Sequence, residues 1–251
     1  MIEQTDKPGA PPRPVLSVFD FDGTLTRNDS FVPFLKFAFG AREFNRRLLK
    51  LALPSLRFVA RRMSRDELKA QLIRTFLVGV KLEWLQQQAA SYCVRAWPRL
   101  MRPSGLLAIA AEIKSGAVVT LCSASPALVL QPFADRLGVK LIGTELEVID
   151  GVLTGHITGN NCRCENKVLR LEAVYGDLQQ FRIRAWGDTR GDHELLAAAE
   201  DAHWRHFHPA WRRGRLRATK GSNPGVRDAH TDLHGAGKPD RSMNTDDQQG
   251  A

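Results

Sequence analysis

Asp20-Phe21-Asp22-Gly23-Thr24-Leu25-Thr26 places two carboxylates two positions apart, directly after a short apolar run from Val15 to Phe19. In a continuing strand the two would share a face. A turn at Gly23 lets the backbone approach a ligand and aims both carboxylates into one pocket. Like charges so placed need a cation or a shared proton, and an oxygen-rich pair suits Mg²⁺. The structural alternative is an Asp-Gly turn after a core strand. A second pair stands in Gly187-Asp188-Thr189-Arg190-Gly191-Asp192, after the apolar run from Phe181 to Trp186. Asp188 can complete a metal site begun by Asp20. Asp192 can bind metal-bound water or orient a lysine, or it can cap a helix running through Leu195 to Ala199.

Two further residues suit anionic oxygen. Ser123 follows the apolar run from Ala117 to Cys122, where its hydroxyl and the next backbone N–H groups can meet phosphoryl oxygens; alternatively it caps a helix starting near Pro126. Lys167, within Glu165-Asn166-Lys167-Val168, opens a predicted helix. There a cation opposes the helix dipole, which slightly favours a ligand role, although without further context a lysine at such a position reads first as a solvated surface residue. The four cysteines, Cys93, Cys122, Cys162 and Cys164, are too few and too irregular for a disulfide framework and imply a reducing compartment. Cys162 with Cys164, and the group His203, His206 and His208, lack zinc spacing. The cysteines read as reduced structural thiols, those histidines as surface or core-edge residues, and His193 as the start of a helix.

The elements that must position these residues follow from the hydropathy pattern. Apolar runs at Val15–Phe19, Ala117–Cys122 and Phe181–Trp186 read as buried strands. The second and third are preceded by predicted helices, Gly105 to Lys114 and Lys167 to Tyr175. That alternation indicates a parallel sheet, whose ligand crevice lies beyond the carboxyl ends of its strands. Asp20, Ser123 and Asp188 all fall there. Leu141 to Val148 and Val152 to Ile157 flank Asp150-Gly151, which predicts a small antiparallel hairpin.

Between the first two strands, residues 34–102 are too long for a crossover and read as a compact helical insertion, a cap over the crevice. The expected organisation is a leader over 1–14 and a tail over 217–251, both disordered, a core of 15–33 with 103–216, and the cap. The 251-residue chain carries 36 Lys and Arg against 27 Asp and Glu. Of these, 15 basic and 4 acidic residues lie in the cap segment, which leaves a remainder of 21 and 23. A protein basic throughout, as for coating nucleic acid, is thereby disfavoured, and no nucleic-acid partner is expected. The opening residues lack an export signal and no apolar window is long enough to span a membrane.

Asp-x-Asp-Gly-Thr, a strand-end Ser, a Lys, and Gly-Asp-x-x-x-Asp, in that order, resemble the four motifs of the haloacid dehalogenase (HAD) superfamily of phosphohydrolases. The resemblance covers about Val15 to Pro209. The insertion, the Asp-Gly hairpin and the Cys-x-Cys-Glu-Asn-Lys run resemble the phosphoserine-phosphatase-like branch, subclass IB. The resemblance implies an α/β Rossmann-like parallel sheet with a helical C1-type cap after the first strand. It also implies a Mg²⁺-dependent phosphomonoesterase acting on a small phosphorylated metabolite or a lipid head-group phosphate. Asp20 would be the nucleophile, Asp22 the general acid and base, and Ser123 and Lys167 the holders of the transferring oxygens. Mg²⁺ would sit on Asp20, Asp188 and the backbone carbonyl of Asp22, with Asp192 in support. Gly23, Thr24, Asp29 and Ala124 would contact substrate.

Phosphoserine phosphatases of the family usually carry Ser where Gly23 stands, Glu where Asp29 stands, Gly-Gly where Ala124 and Ser125 stand, and Asn where Gly191 stands. These departures bear on substrate more than on chemistry. Asp29 also reads as a cap for a helix from Phe31. In the insertion, Arg42, Arg46, Arg47, Lys50, Arg57, Arg61, Arg62 and Arg65 alternate with Phe44, Leu48, Leu51, Leu56, Val59 and Met63 at helical spacing. That pattern is a solvated basic face or a docking face for an anionic bilayer. A cytoplasmic location follows, with peripheral contact at the inner membrane surface under the second reading. Two other functions remain open: a non-catalytic binder of anionic surfaces, membrane or nucleic acid, and a phosphotransferase to an acceptor other than water.

Overall fold

The computed structural model describes residues 12–49 and 64–209. The expected tail over 217–251, most of the leader, and the basic and apolar insertion residues from Lys50 to Met63 lie outside them, as does the side chain of Arg65.

In chain order the elements begin with β1 (Val15–Phe19), α1 (Phe31–Leu49, broken at Gly40), α2 (Arg65–Leu77), α3 (Leu82–Leu100) and α4 (Pro103–Lys114). Then come β2 (Val118–Pro126), α5 (Ala127–Leu137), β3 (Lys140–Thr144), β4 (Leu146–Ile149) and β5 (Val152–Ile157). The chain closes with α6 (Glu165–Tyr175), β6 (Arg182–Gly187), α7 (His193–Ala198) and β7 (Asp201–Trp204).

Five strands form a parallel sheet in the order β3-β2-β1-β6-β7, and β4 with β5 forms an antiparallel pair. The chain works outward from β1 to β3, then returns to lay β6 and β7 on the other side. The order therefore reverses beside β1, where open sheets of this kind bind their ligands. Successive residues of β1 serve opposite layers, as the period of two requires. Leu16 and Val18 pack with Leu171, Leu195 and Leu196, while Phe19 packs with Ile109, Val129 and Phe133. Ser17, the polar member of β1, donates to Glu112 (2.6 Å), which also accepts from Arg184 (2.9 Å), so its burial leaves no orphan hydroxyl.

The structure shifts several expected boundaries. The second strand does not stop at Ser123 but continues to Pro126 through a bulge. Cys122 pairs with Ile142 and Pro126 with Thr144, so Ser123, Ala124 and Ser125 oppose Gly143 alone. The run from Leu141 to Val148 is two strands, not one, because its first part completes the main sheet. The hairpin proper is β4 with β5. Its turn residues Asp150 (φ 50°) and Gly151 (φ 75°) take the left-handed conformation of the tight hairpin turn that Asp-Gly favours. α4 starts at Pro103, whose fixed φ suits a first helical position, and α6 starts at Glu165.

The helices α1, α2 and α3 lie between β1 and β2 in the chain. The α2–α3 connection is tied to β5 by Gly79 N–H donating to the Leu153 carbonyl (2.9 Å) and Leu153 N–H to that of Val80 (2.8 Å). α3 leans on α5 through Trp97 and Tyr92, which pack on Phe133. Among the basic residues of α1, Arg46 and Arg47 are both bound to Glu43. Arg47 also caps the Phe76 carbonyl (2.8 Å) over the Phe39 ring, so it is a packing residue rather than part of a solvated face.

Candidate active site

The site assembles at the carboxyl ends of β1, β2 and β6. Asp20 N–H donates to the Trp186 carbonyl (2.9 Å), which carries the β1–β6 ladder one step past the strand and sets Asp20 beside Gly187-Asp188. The chain then makes a wide turn closed by Thr26 N–H on the Phe21 carbonyl (3.1 Å), with Gly23 at φ 84°. Glycine is required there twice over. Its φ is left-handed, and a Cβ would lie 2.5 Å from Asp188 Oδ2. Gly187 meets the same need on β6, since a Cβ there would lie 2.5 Å from that of Asp192.

Lys167 is the hub. It is 1% exposed, not a solvated surface lysine, and its Nζ donates to Asp20 Oδ1 (2.7 Å) and Asp192 Oδ1 (2.6 Å). α6 delivers it from its first turn. Cys164, just before α6, has φ 55° and ψ −133°, a conformation natural only to glycine, and its N–H is held by the Gly191 carbonyl (2.8 Å). That bond ties the start of α6 to the 187–192 turn. We expect Cys164→Gly to stabilise the fold by about 1 kcal/mol; a urea midpoint below that of the wild type would contradict this.

Asp192 does not cap α7 with its side chain. Its second oxygen accepts from Thr189 N–H (2.9 Å), Thr189 Oγ1 (2.9 Å) and Asp188 N–H (3.3 Å), which closes the 187–192 turn around the carboxylate. Asp188 Oδ1 accepts from Thr24 Oγ1 (3.1 Å), and His208 Nε2 lies 3.4 Å from Oδ2 and 2.8 Å from the Gly23 carbonyl. Asp20, Asp188 and Asp192 each offer a carboxylate oxygen within 4.8 Å of the others. Asp22 stands apart from this triad. Its oxygens accept from Ser30 N–H (2.7 Å) and from the Ser125 hydroxyl.

Burial pushes the Asp20 carboxyl well above its ordinary pKa, with Asp192 adding to the rise and Lys167 opposing it. Burial likewise raises Asp22 to about 6, aided by the charge of Asp29, and Asp188 to about 6, aided by that of Asp192. For Asp192 the burial is outweighed by the Lys167 charge and hydrogen bond, which hold it below the ordinary value. Lys167 would be lowered by burial, but Asp192 and Asp20 keep it well above its ordinary value and charged.

A cavity of about 320 Å³ opens over this group, lined by Asp20, Asp22, Ser123, Ala124, Lys167 and Asp192 and walled by side chains from α1 and α2. Asp29 lines it too, while its Oδ1 accepts from Val32 N–H (3.0 Å), so the helix-capping reading and the cavity reading hold together. Ser123 is buried at the cavity floor. It does not cap α5, which starts after Pro126 with no side-chain cap, and instead accepts from Ser125 N–H (3.1 Å). Gly23 and Thr24 do not line the cavity; both serve Asp188. Lys69 and Arg163 reach the cavity without having been singled out in the sequence, and Ser125, noted there only as a departure from the family's pattern, reaches it too. Lys69 and Arg163 lie outside every strand-end motif, and Ser125 differs from the family's usual glycine.

Cys162 is buried, with its Sγ 3.8 Å from that of Cys122, and the cysteines of the described residues are free thiols. His203 stacks on Trp186 (4.5 Å between ring centroids) and His193 begins α7. No helix among the described residues is long and apolar enough to cross a membrane.

A strand-end aspartate pair, a buried lysine between carboxylates and a second strand-end pair thus meet at the sheet reversal. Residues 17–197 match the haloacid dehalogenase-like hydrolase family, and the chain belongs to it. Over 196 residues it is 39% identical to Protein CicA of Caulobacter vibrioides, an alignment spanning 77% of this chain and 87% of that protein. A Bordetella pertussis Tohama I protein of unknown function superposes with a TM-score of 0.63 at 23% identity, over 74% of this chain and 87% of that one. A phosphoserine phosphatase solved as a phospho-aspartyl intermediate analogue superposes at 0.50 and 20% identity, over 75% and 84%. At those identities the two structures share the fold.

Proposed function

We propose that the protein is a Mg²⁺-dependent phosphomonoesterase that works through an aspartyl-phosphate on Asp20, with helices α1 to α3 as its cap. The observation that carries this reading is Lys167, fully buried and bound to Asp20 and Asp192 at the floor of a cavity that also holds Asp22. A buried ammonium between two carboxylates fixes the nucleophile's orientation and leaves its other oxygen free to attack.

That oxygen would form a bond to phosphorus as the bond to the leaving oxygen breaks, and Asp22 would give its proton to that oxygen. Water would then attack phosphorus, Asp22 taking its proton, and the Asp20–phosphorus bond would break to release phosphate. A pKa near 6 suits a group that must first give and then take a proton near neutrality. The carboxylates of Asp20, Asp188 and Asp192 make an all-oxygen donor set that fits Mg²⁺, with Asp20 and Asp188 as its ligands and Asp192 holding Lys167. When bound, Mg²⁺ would neutralise phosphoryl charge. The Asp22 carboxylate is held away from this set by Ser30 and Ser125, so any share it takes falls to its backbone carbonyl.

A small phosphorylated metabolite suits the cavity, and Asp29 offers a carboxylate toward its leaving group. Docking on an anionic bilayer draws no support from Arg47, which is bound to Glu43 and the Phe76 carbonyl. Phosphate release from a panel of phosphomonoesters and dispersed lipid phosphates, in Mg²⁺ and in EDTA, tests the proposal. Release in Mg²⁺ alone is expected. No release from any substrate, with salt-sensitive binding to anionic vesicles or nucleic acid, would favour the non-catalytic binder. Product that appears only with an added alcohol acceptor would make the protein a phosphotransferase.

If Asp22 is the proton donor, Asp22→Asn is expected to cost about 10²- to 10⁴-fold in kcat with alkyl phosphates. It should cost much less with p-nitrophenyl phosphate, whose leaving group needs no proton. Equal losses on both would remove Asp22 from that role.

A further inference from the structure

The bulge in β2 creates an acceptor that the sheet cannot satisfy. Ser123, Ala124 and Ser125 oppose the single residue Gly143, so the carbonyl of Ala124 has no ladder partner on β3. Its partners come from side chains. Lys69 reaches it from α2, and Thr144 Oγ1 lies 2.6 Å away. Lys69 Nζ also donates to Thr144 Oγ1 (3.1 Å) and Asn161 Oδ1 (2.6 Å). Thr144 Oγ1 accepts in addition from Cys162 N–H (3.1 Å), and Asn161 in turn donates to Asp66 on α2.

An ammonium group has three protons, and here all three are taken by acceptors of β2, β3 and the loop before α6. Although Lys69 lines the cavity, it has none left for a leaving group. What it controls is a peptide plane. The Ala124 carbonyl and the Ser125 N–H belong to one trans planar unit and point in opposite directions. Holding the carbonyl toward α2 therefore aims the N–H at Ser123 Oγ (3.1 Å). With a lone pair so occupied, the Ser123 hydroxyl keeps its proton for an oxygen in the cavity.

We infer that Lys69 is a positioning residue that couples the seating of α2 to the phosphoryl-binding loop, by capturing the carbonyl that the β2 bulge orphans. The inference rests on the reading of Ser123 as a phosphoryl-oxygen donor. Seating of α2 then completes the phosphate site, whatever the leaving group.

The test compares the wild type, Lys69→Met, Thr144→Val and the double variant in the full chain. It measures kcat/KM on phosphomonoesters with small, bulky, neutral and charged leaving groups, and product inhibition by inorganic phosphate. We expect Lys69→Met to lose about ten- to a hundredfold in kcat/KM by a similar factor on every substrate, with phosphate inhibition weakened in step. Thr144→Val should act in the same direction, and the double variant should lose less than the product of the two factors. A loss confined to one kind of leaving group would make Lys69 a reader of substrate and overturn the inference. So would unchanged inhibition by phosphate, or independent effects of the two substitutions. If Lys69→Met fails to fold, Thr144→Val alone decides: phosphate inhibition equal to that of the wild type overturns the inference. A wild type that neither turns over nor binds phosphate would instead defeat the proposed function itself.

Discussion

The Asp20→Asn protein is expected to melt at or above the temperature of the wild type while releasing phosphate at least about 10⁴-fold more slowly. The two halves of that result have separate causes. An amide has the shape of the carboxylate but cannot supply the attacking oxygen, so the covalent step is lost. The fold, by contrast, gains from losing the charge. Burial and the neighbouring Asp192 and Asp188 already push the Asp20 carboxyl toward its neutral form against the pull of Lys167. Lys167 keeps Asp192 as its counter-charge at 2.6 Å, and the amide oxygen can still accept at the position of Oδ1. Activity within tenfold of the wild type would take the nucleophile's role from Asp20. A collapse in stability would mean that the Asp20–Lys167 pair holds the sheet end together.

Lys167→Met is expected to give the converse pattern, with activity and stability lost together. Removing the ammonium leaves Asp20 and Asp192 buried without their cation, and breaking a buried pair from one side costs about 3 kcal/mol or more. The sign of the pH dependence follows from Asp192. Its folded pKa lies below the ordinary 3.8, so the pair contributes stability that is present above that value and is lost as the pH falls through the folded pKa. Denaturation in urea should therefore show the largest gap between variant and wild type near neutral pH, with the gap closing in acid. Mg²⁺ at a concentration well above its dissociation constant should recover part of the loss near neutrality, since a ligand that binds only the folded state stabilises it. A variant as stable as the wild type at pH 7 without Mg²⁺ would show that the buried carboxylates do not depend on Lys167.

Much of this candidate site was legible in the sequence because both aspartate pairs sit where a strand ends. Val15 to Phe19 could be buried on both faces only as a central strand, and its abrupt stop at Asp20 located the crevice. The same logic placed Asp188, and Asp150-Gly151 marked a turn whose conformation few other pairs adopt readily. Lys167 was harder, since a lysine early in a helix reads as solvated until its two carboxylates arrive from β1 and the 187–192 turn. Lys69 and Ser125 were not legible. Both depend on the bulge at Ser123–Ser125, which appears only when β2 and β3 are laid in register, and apolar periodicity says nothing of three residues opposing one. Leu141 to Val148 misled for a related reason: hydropathy alone does not mark the point at which a strand leaves one sheet and the next enters another.

The most direct measurement is the mass of the Asp20-containing peptide after rapid acid quench during turnover of a good substrate in Mg²⁺. A fraction of that peptide should be heavier by one phosphoryl group, lost on treatment with hydroxylamine and absent from Asp20→Asn. An unmodified Asp20 peptide throughout turnover, with the phosphoryl group on another residue, would contradict the nucleophilic role of Asp20.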